Sequence, residues 1–294
     1  YVPHAVVTGF TAGIAVIIAS SQVKDFLGLR IENVPADFLP KWVAYFEHLD
    51  TLSGPATLLG IVSILMIIAL RRIDPRVPAF LLTVIAAAAA VTILKMPAET
   101  IGSRFGEIPH GLPVPAMPDI SMAKLLDVLP ASFTIAFLAG IEALLSARVA
   151  DGMTGFNHRS NQELVAQGVA NIASALFGGL PATGAIARTA TNIKAGAKTP
   201  MAGMFHALFL LLFMVAAAAL MSYVPMAVLA AVLFVVAWGM SEIHHFIRIL
   251  RAPGSDRIVL LLTFFLTVLV DLTVGIGVGV TLALLLQRAR ARNP

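Results

Sequence analysis

Two ionisable residues stand inside long apolar runs, and each needs a chemical reason. Arg188 lies in FGGLPATGAIARTATNIKAGAKTP, residues 177–200, and Glu142 lies in IAFLAGIEALLSARVADGMTG, residues 135–155. A charge at membrane depth is expensive, so it marks a pathway or a site by default. The 177–200 stretch also breaks the rules for a spanning helix, with four glycines, two prolines and two lysines beside its arginine. Gly178 and Gly179 loosen a helix and Pro181 removes a backbone donor. From Ala182 to Lys194 the sequence can be helical again. Those residues rise about 20 Å, short of the hydrocarbon core of about 30 Å. The pattern predicts a half-helix over 182–194, starting within the membrane and leaving it at Lys194.

A helix that starts inside a membrane carries N–H groups with no intrahelical partner. Hydrocarbon cannot satisfy them, so the start must face protein or a wet cavity. With the positive end of the dipole, these groups make an anion site. Thr183, Gly184, Ala185 and Ile186 would present backbone to the anion, and Arg188 would add a full positive charge. Glu142, near the centre of its span, should be protonated or paired. It is read as a proton-coupling carboxyl, with a cation site or an ion pair to Arg188 as alternatives. Ser146, one turn on, would support it from behind. Sodium would want more oxygens, and Ile186 offers none, which favours a proton.

The elements that position these residues follow from composition. Of 294 residues 59% are hydrophobic and 12% charged, with a mean hydropathy of +0.91. A soluble domain is closer to half apolar and a quarter charged. The chain is therefore read as an all-α, polytopic membrane protein. With no cysteine, disulfides, thiol catalysis and thiolate metal sites are excluded. No HExxH occurs and no metal site is expected. The net charge of +4 is weak as a nucleic-acid signal, since membrane proteins gather Lys and Arg in cytoplasmic loops.

Apolar segments fall at 5–23, 54–70, 77–94, 125–150, 162–178, 200–222 and 225–241. The run 258–286 is too long for one span and reads as two helices, 256–270 and 272–287, turning near Asp271. That predicts nine spans plus the half-helix. Residues 24–53 and 95–124 are polar loops on one side, with room for short interfacial helices. Assigning 71–76, 148–161, 194–199, 242–257 and the C-terminus to the cytoplasm puts thirteen Lys and Arg there. Six lie on the other side, and Arg188 is the remaining one of twenty. The bland readings are that Asp271 caps a turn and that His244 and His245 sit in a solvated loop. Gly275, Gly277 and Gly279 would let helices pack closely.

From EALLSARVADGMTG through NQELVAQGVANIASALFGGLPATGAIARTATN and AGAKTPMAG to VLVDLTVGIGVGV, the sequence resembles the sulfate permease family (solute-carrier family 26). The resemblance implies a fold of fourteen segments in two inverted seven-segment repeats, a core domain moving against a gate domain. It implies an anion held between the N-termini of two half-helices, the third and tenth segments, and a cytoplasmic STAS domain after the last. By motif, 1–94 resembles gate segments five to seven, and 95–124 is an external loop. Residues 125–222 resemble core segments eight to eleven, and 223–294 resemble gate segments twelve to fourteen. Glu142 falls on the family's acidic position, Gly184 and Ala185 at the start of segment ten, and Arg188 on its basic position. On this reading about ten segments are present. The chain starts without Met, and it is expected to lack the first four segments and the STAS domain and not to transport alone.

The function expected is secondary anion transport by alternating access, coupled to protons, with sodium as the other candidate ion and no cofactor. The expected partners are a small inorganic or carboxylate anion, the bilayer and a second copy of the chain, with no nucleic acid. An uncoupled channel or exchanger, or a voltage-responsive motor, is the rival within the same family. A nucleobase symporter of similar architecture would not need Arg188. An intramembrane enzyme finds no metal triad or nucleophile.

Overall fold

A computed structural model describes residues 4–74, 77–106, 113–251 and 254–292. Arg76 lies outside these, and so do the side chains of Lys194, Arg288, Arg290 and Arg292. The described residues fold into helices joined by turns, with one isolated β-bridge. They divide into two units, Tyr1–Ile108 with Ala219–Pro294, and Pro109–Ala218.

The first unit holds α1 (His4–Leu27), α2 (Phe38–Glu47), α3 (Gly54–Ile73), α4 (Ala79–Leu94) and α5 (Ile101–Phe105). After the crossing helix α10 (Ala218–Met221) come α11 (Met226–Met240), α12 (Ile243–Arg251), α13 (Ser255–Leu269) and α14 (Leu272–Arg292). Its helices start where the sequence supplies caps. Ser53 accepts from the N–H of Ala56 at 3.4 Å with Pro55 in the first turn, and Thr100 and Ser103 close a capping box. Asp271 accepts from the N–H of Val274 at 3.3 Å, so the expected turn is there and the aspartate caps the helix after it.

The core of this unit is a seam of small residues. Thr263 and Thr267 on α13 lie between Gly9 and Gly13 on α1 and Gly279 and Gly275 on α14. A Cβ on Gly13 would sit 2.7 Å from Thr267 Cγ2, and one on Gly275 or Gly279 would meet a threonine hydroxyl. Small residues at i, i+4 let membrane helices approach to backbone contact. The close-packing role expected of the α14 glycines holds for Gly275 and Gly279, whereas Gly277 faces open space. Among the described residues, the buried hydroxyls of Thr263 and Thr267 have no hydrogen-bond partner.

The loop 95–124 does not stand apart. Its first part belongs to the first unit, where Met226 N–H donates to Glu99 O, Ile101 N–H to Val224 O and Gly102 N–H to Ser222 O, each at 2.9 Å. Arg104 also pairs with Asp25 at 2.8 Å. The stretch 242–257, expected as a loop, contains α12. Its Ile243, Phe246, Ile247 and Leu250 recur at helical spacing, and Phe246 packs edge-on to Phe264 with centroids 5.4 Å apart. His244 and His245 are thus helical, and His245 Nδ1 lies 3.4 Å from Glu242 Oε2.

The second unit holds α6 (Met122–Thr154), α7 (Ser160–Leu176), α8 (Ile186–Lys194) and α9 (Met201–Ala216). α6 outruns the expected 125–150 span. Ser121 caps it, accepting from Lys124 N–H at 3.3 Å, and it runs on to Gly155 at φ 77. Its 33 residues rise about 50 Å, more than the membrane core needs. Helix continues through residues 148–154, which the polar composition had assigned to a loop. Large apolar side chains cover the exposed faces of α6 and α9, as on lipid-facing helices.

Among the described residues, four helical stretches are long and apolar enough to cross a membrane: His4–Leu27, Gly54–Ile73, Met122–Thr154 and Met226–Arg251. The topology has a direct check, and the chain carries no cysteine of its own. Single cysteines in place of Lys41 on α2 and Arg251 at the end of α12 are expected to react with an impermeant thiol reagent from opposite faces. Labelling from one face would overturn the orientation read from the cation bias.

Candidate functional site

α7 ends in a Schellman motif. Gly178 takes φ 69, its N–H donates to Ala175 O at 3.0 Å, and Gly179 N–H donates to Ser174 O at 2.8 Å. From there to Ala185 the chain is not helical. The expected half-helix therefore begins at Ile186, four residues later than Ala182. The reason is long-range. Asn171 Oδ1 accepts from Ala182 N–H at 2.7 Å while its Nδ2 donates to Ala182 O at 2.9 Å. Gln167 Nε2 donates to the same carbonyl, and Ser174 Oγ donates to Leu180 O at 2.9 Å. Thr183 Oγ1 donates to Ala139 O of α6 at 2.8 Å. Backbone groups claimed by side chains are not free for a helical ladder.

α8 is then nine residues long, about 14 Å. No side chain caps it; Ala185 is the N-cap residue, in extended conformation, and the first bond within the helix runs from Thr189 N–H to Ala185 O at 2.9 Å. The donors ahead of that bond point out of the helix end. Arg188 is exposed, on the third helical residue.

One stripe of α6, Ala139, Glu142, Ala143 and Ser146 at i, i+3, i+4, i+7, meets this stretch. A Cβ on Gly184 would lie 3.1 Å from Ala143 Cα and 3.3 Å from Ser146 Cβ. The α6 backbone therefore lies against Gly184, and a side chain there would press on it. Ser146 is buried and shares a hydrogen bond of 2.6 Å with Thr189. Its hydroxyl joins α6 to α8 rather than backing Glu142.

Glu142 is half-buried on the same stripe. Among the described residues no hydrogen bond or ion pair holds its carboxylate, and the ion pair with Arg188 does not form. No group of three or more His, Asp or Glu suited to a metal occurs among them either.

The structure therefore brings Gly184, Ser146 and Thr189 together, ties Thr183 to α6, and sets Ala185, Ile186 and Arg188 at the start of α8. Thr189, Gln167 and Asn171 were missed. The i, i+4, i+7 spacing of Gln167, Asn171 and Ser174 was the signal for two of them, since a polar stripe on an otherwise small-residue helix must meet something polar.

Broken helices whose free N–H groups follow a non-helical stretch are a building device of secondary transporters. Comparison with known proteins is specific. The sulfate permease family matches over residues 1–263, and the chain belongs to that family. YvdB of Bacillus subtilis (strain 168), named for sulfate transport, is 44% identical over 276 residues, 94% of this chain and 52% of its own. The solved transmembrane domain of a cyanobacterium bicarbonate transporter, BicA, superposes with a TM-score of 0.80 at 30% identity, over 93% of this chain and 68% of that one. SLC26A9 gives a TM-score of 0.86 at 21% identity, covering 97% and 46%, and so shares the fold. The chain spans about half the length of the relatives it matches. It is a multi-pass membrane protein of a transporter family, with the helical fold that the resemblance implied.

Proposed function

We propose that the protein is a secondary anion transporter working by alternating access, and that the anion binds at the start of α8. The backbone N–H groups of Gly184, Ala185 and Ile186 meet it, with charge supplied by Arg188. Thr183 contributes through its backbone, since its hydroxyl is engaged. The observation that carries this reading is an uncapped helix start behind a stretch that side-chain bonds hold at Leu180, Ala182 and Thr183. The substrate is a small inorganic or carboxylate anion, sulfate and bicarbonate first, as the names of YvdB and BicA suggest. Uptake of sulfate, bicarbonate and dicarboxylates by the full-length protein in proteoliposomes, with and without a proton gradient, tests it; no uptake of any of them would refute it.

Glu142 carries the coupling proton in this reading. Its carboxyl lies on the stripe of α6 that meets α8, and no cation among the described residues pairs with it. Glu142→Gln keeps shape and hydrogen-bonding capacity but cannot release a proton. It is expected to abolish gradient-driven accumulation while leaving some anion exchange. Accumulation against a gradient by Glu142→Gln under a proton-motive force would remove the proton role.

A further inference from the structure

α7 turns three polar side chains to the non-helical stretch, and their bonds are not equivalent. Ser174 holds Leu180, well back from α8. Asn171 holds both polar groups of Ala182, as a neighbouring β-strand would hold a residue. Its Nδ2 also donates to Gln167 O at 3.0 Å, which fixes the amide on its own helix. Gln167 adds a second donor to the Ala182 carbonyl. Only Thr183, Gly184 and Ala185 separate Ala182 from α8. Of these, Thr183 is pinned to Ala139 O, and Gly184 is pressed against Ala143. The stretch is thus gripped by α7 at Ala182 and by α6 just beyond, with little slack before the first helical residue.

Elsewhere in this chain, loop backbone is held by other backbone, as where 99–102 pairs with 222–226, or by one side chain at one group, as where Lys24 donates to Ile31 O and Asp151 accepts from His158 N–H; Ala182 has two side-chain amides on one residue. At Ala182 the partner is a side-chain amide on a rigid helix, which fixes a position rather than extending a ladder. A site held within about 0.5 Å by such support discriminates ligands by size; a looser one does not.

We propose that Asn171, assisted by Gln167, is a positioning residue that sets the anion selectivity of the site at α8, by fixing where Ala182 lies and hence how much room remains before Ile186. The inference rests on the anion-site reading given above. Loss of the amide frees Ala182 to move and relaxes the distinction between anions of different radius and hydration.

The test is direct binding of chloride, bicarbonate and sulfate to the full-length protein, with Asn171→Ala and Gln167→Met compared with the unaltered protein. Asn171→Ala is expected to shrink the ratio of affinities between the best and worst anion about tenfold. Gln167→Met, which keeps length and helix propensity but loses the donor, is expected to shift the ratio in the same direction by less. A purely structural role would lower the unfolding temperature and leave the ratios alone. Unchanged ratios in Asn171→Ala overturn the proposal. Where that variant does not fold, unchanged ratios in Gln167→Met overturn it instead. The two readings fail separately: if Arg188→Ala weakens binding while the ratios survive both amide variants, only the positioning role is lost. If the unaltered protein binds none of the three anions, the site and the positioning role fall together.

Discussion

Arg188→Ala in the full-length protein is expected to weaken anion binding by about ten- to a hundredfold, the worth of one or two charge-assisted hydrogen bonds. The side chain sits on the first turn of α8 with no acid to neutralise it among the described residues. Removing it leaves only the backbone donors and the partial charge of the helix end. Arg188→Lys should retain part of the affinity, because a point charge still attracts an anion but the planar fork is gone. Ala185→Leu attacks the same site by bulk, at the residue just ahead of the helix, and should weaken every anion alike. A direct binding assay reads all three variants. Unchanged affinity in Ala185→Leu and Arg188→Ala would make α8 a structural element and end the anion-site reading.

Gly9→Val is expected to destabilise the α1–α13–α14 seam strongly. A Cβ at Gly9 would lie 2.6 Å from the carbonyl oxygen of Leu260 and 3.2 Å from Thr263 Cβ. A backbone oxygen cannot swing aside, so α13 itself must shift. Overpacking a well-fitted interior costs about 1–3 kcal/mol, and a branched side chain against a fixed carbonyl belongs at the upper end. The contrasting change is Thr263→Val on the facing helix. It swaps an unpartnered buried hydroxyl for a methyl of similar volume, which should be neutral or stabilising. Thermal unfolding in detergent micelles reads both. A Gly9→Val midpoint equal to the unaltered protein's would mean that the helices are not held at backbone contact.

What the sequence made legible was set by how local its cause was. The expected segments 5–23, 54–70 and 225–241 lie within α1, α3 and α11 or within a residue of them, because length and apolarity decide a span. The turn at Asp271 was equally local, a cap residue before a new helix. The start of α8 was not. Nothing in Ala182-Thr183-Gly184-Ala185 forbids a helix strongly, and the groups that keep it extended, Asn171, Gln167 and Ala139 O, lie on other helices. α12 was hidden differently. Two histidines and two arginines in nine residues suggested a loop, although the apolar positions already kept a helical period. Gly184 and Ser146 also make contacts that were not expected of them. Gly184 fits against Ala143, and Ser146 bonds Thr189, and neither contact leaves a trace in local composition.

The threonine seam joins helices from the two ends of the described chain, and this gives assembly a timetable. During synthesis α1 is made well before α13 and α14. Every residue of Pro109–Ala218 is laid down in between. That middle block is continuous in sequence and can close on itself early. Gly9 and Gly13, by contrast, wait without Thr263 and Thr267 until α13 has been made. A chain cut short anywhere before α13 would leave the glycine face of α1 without the threonines it packs against.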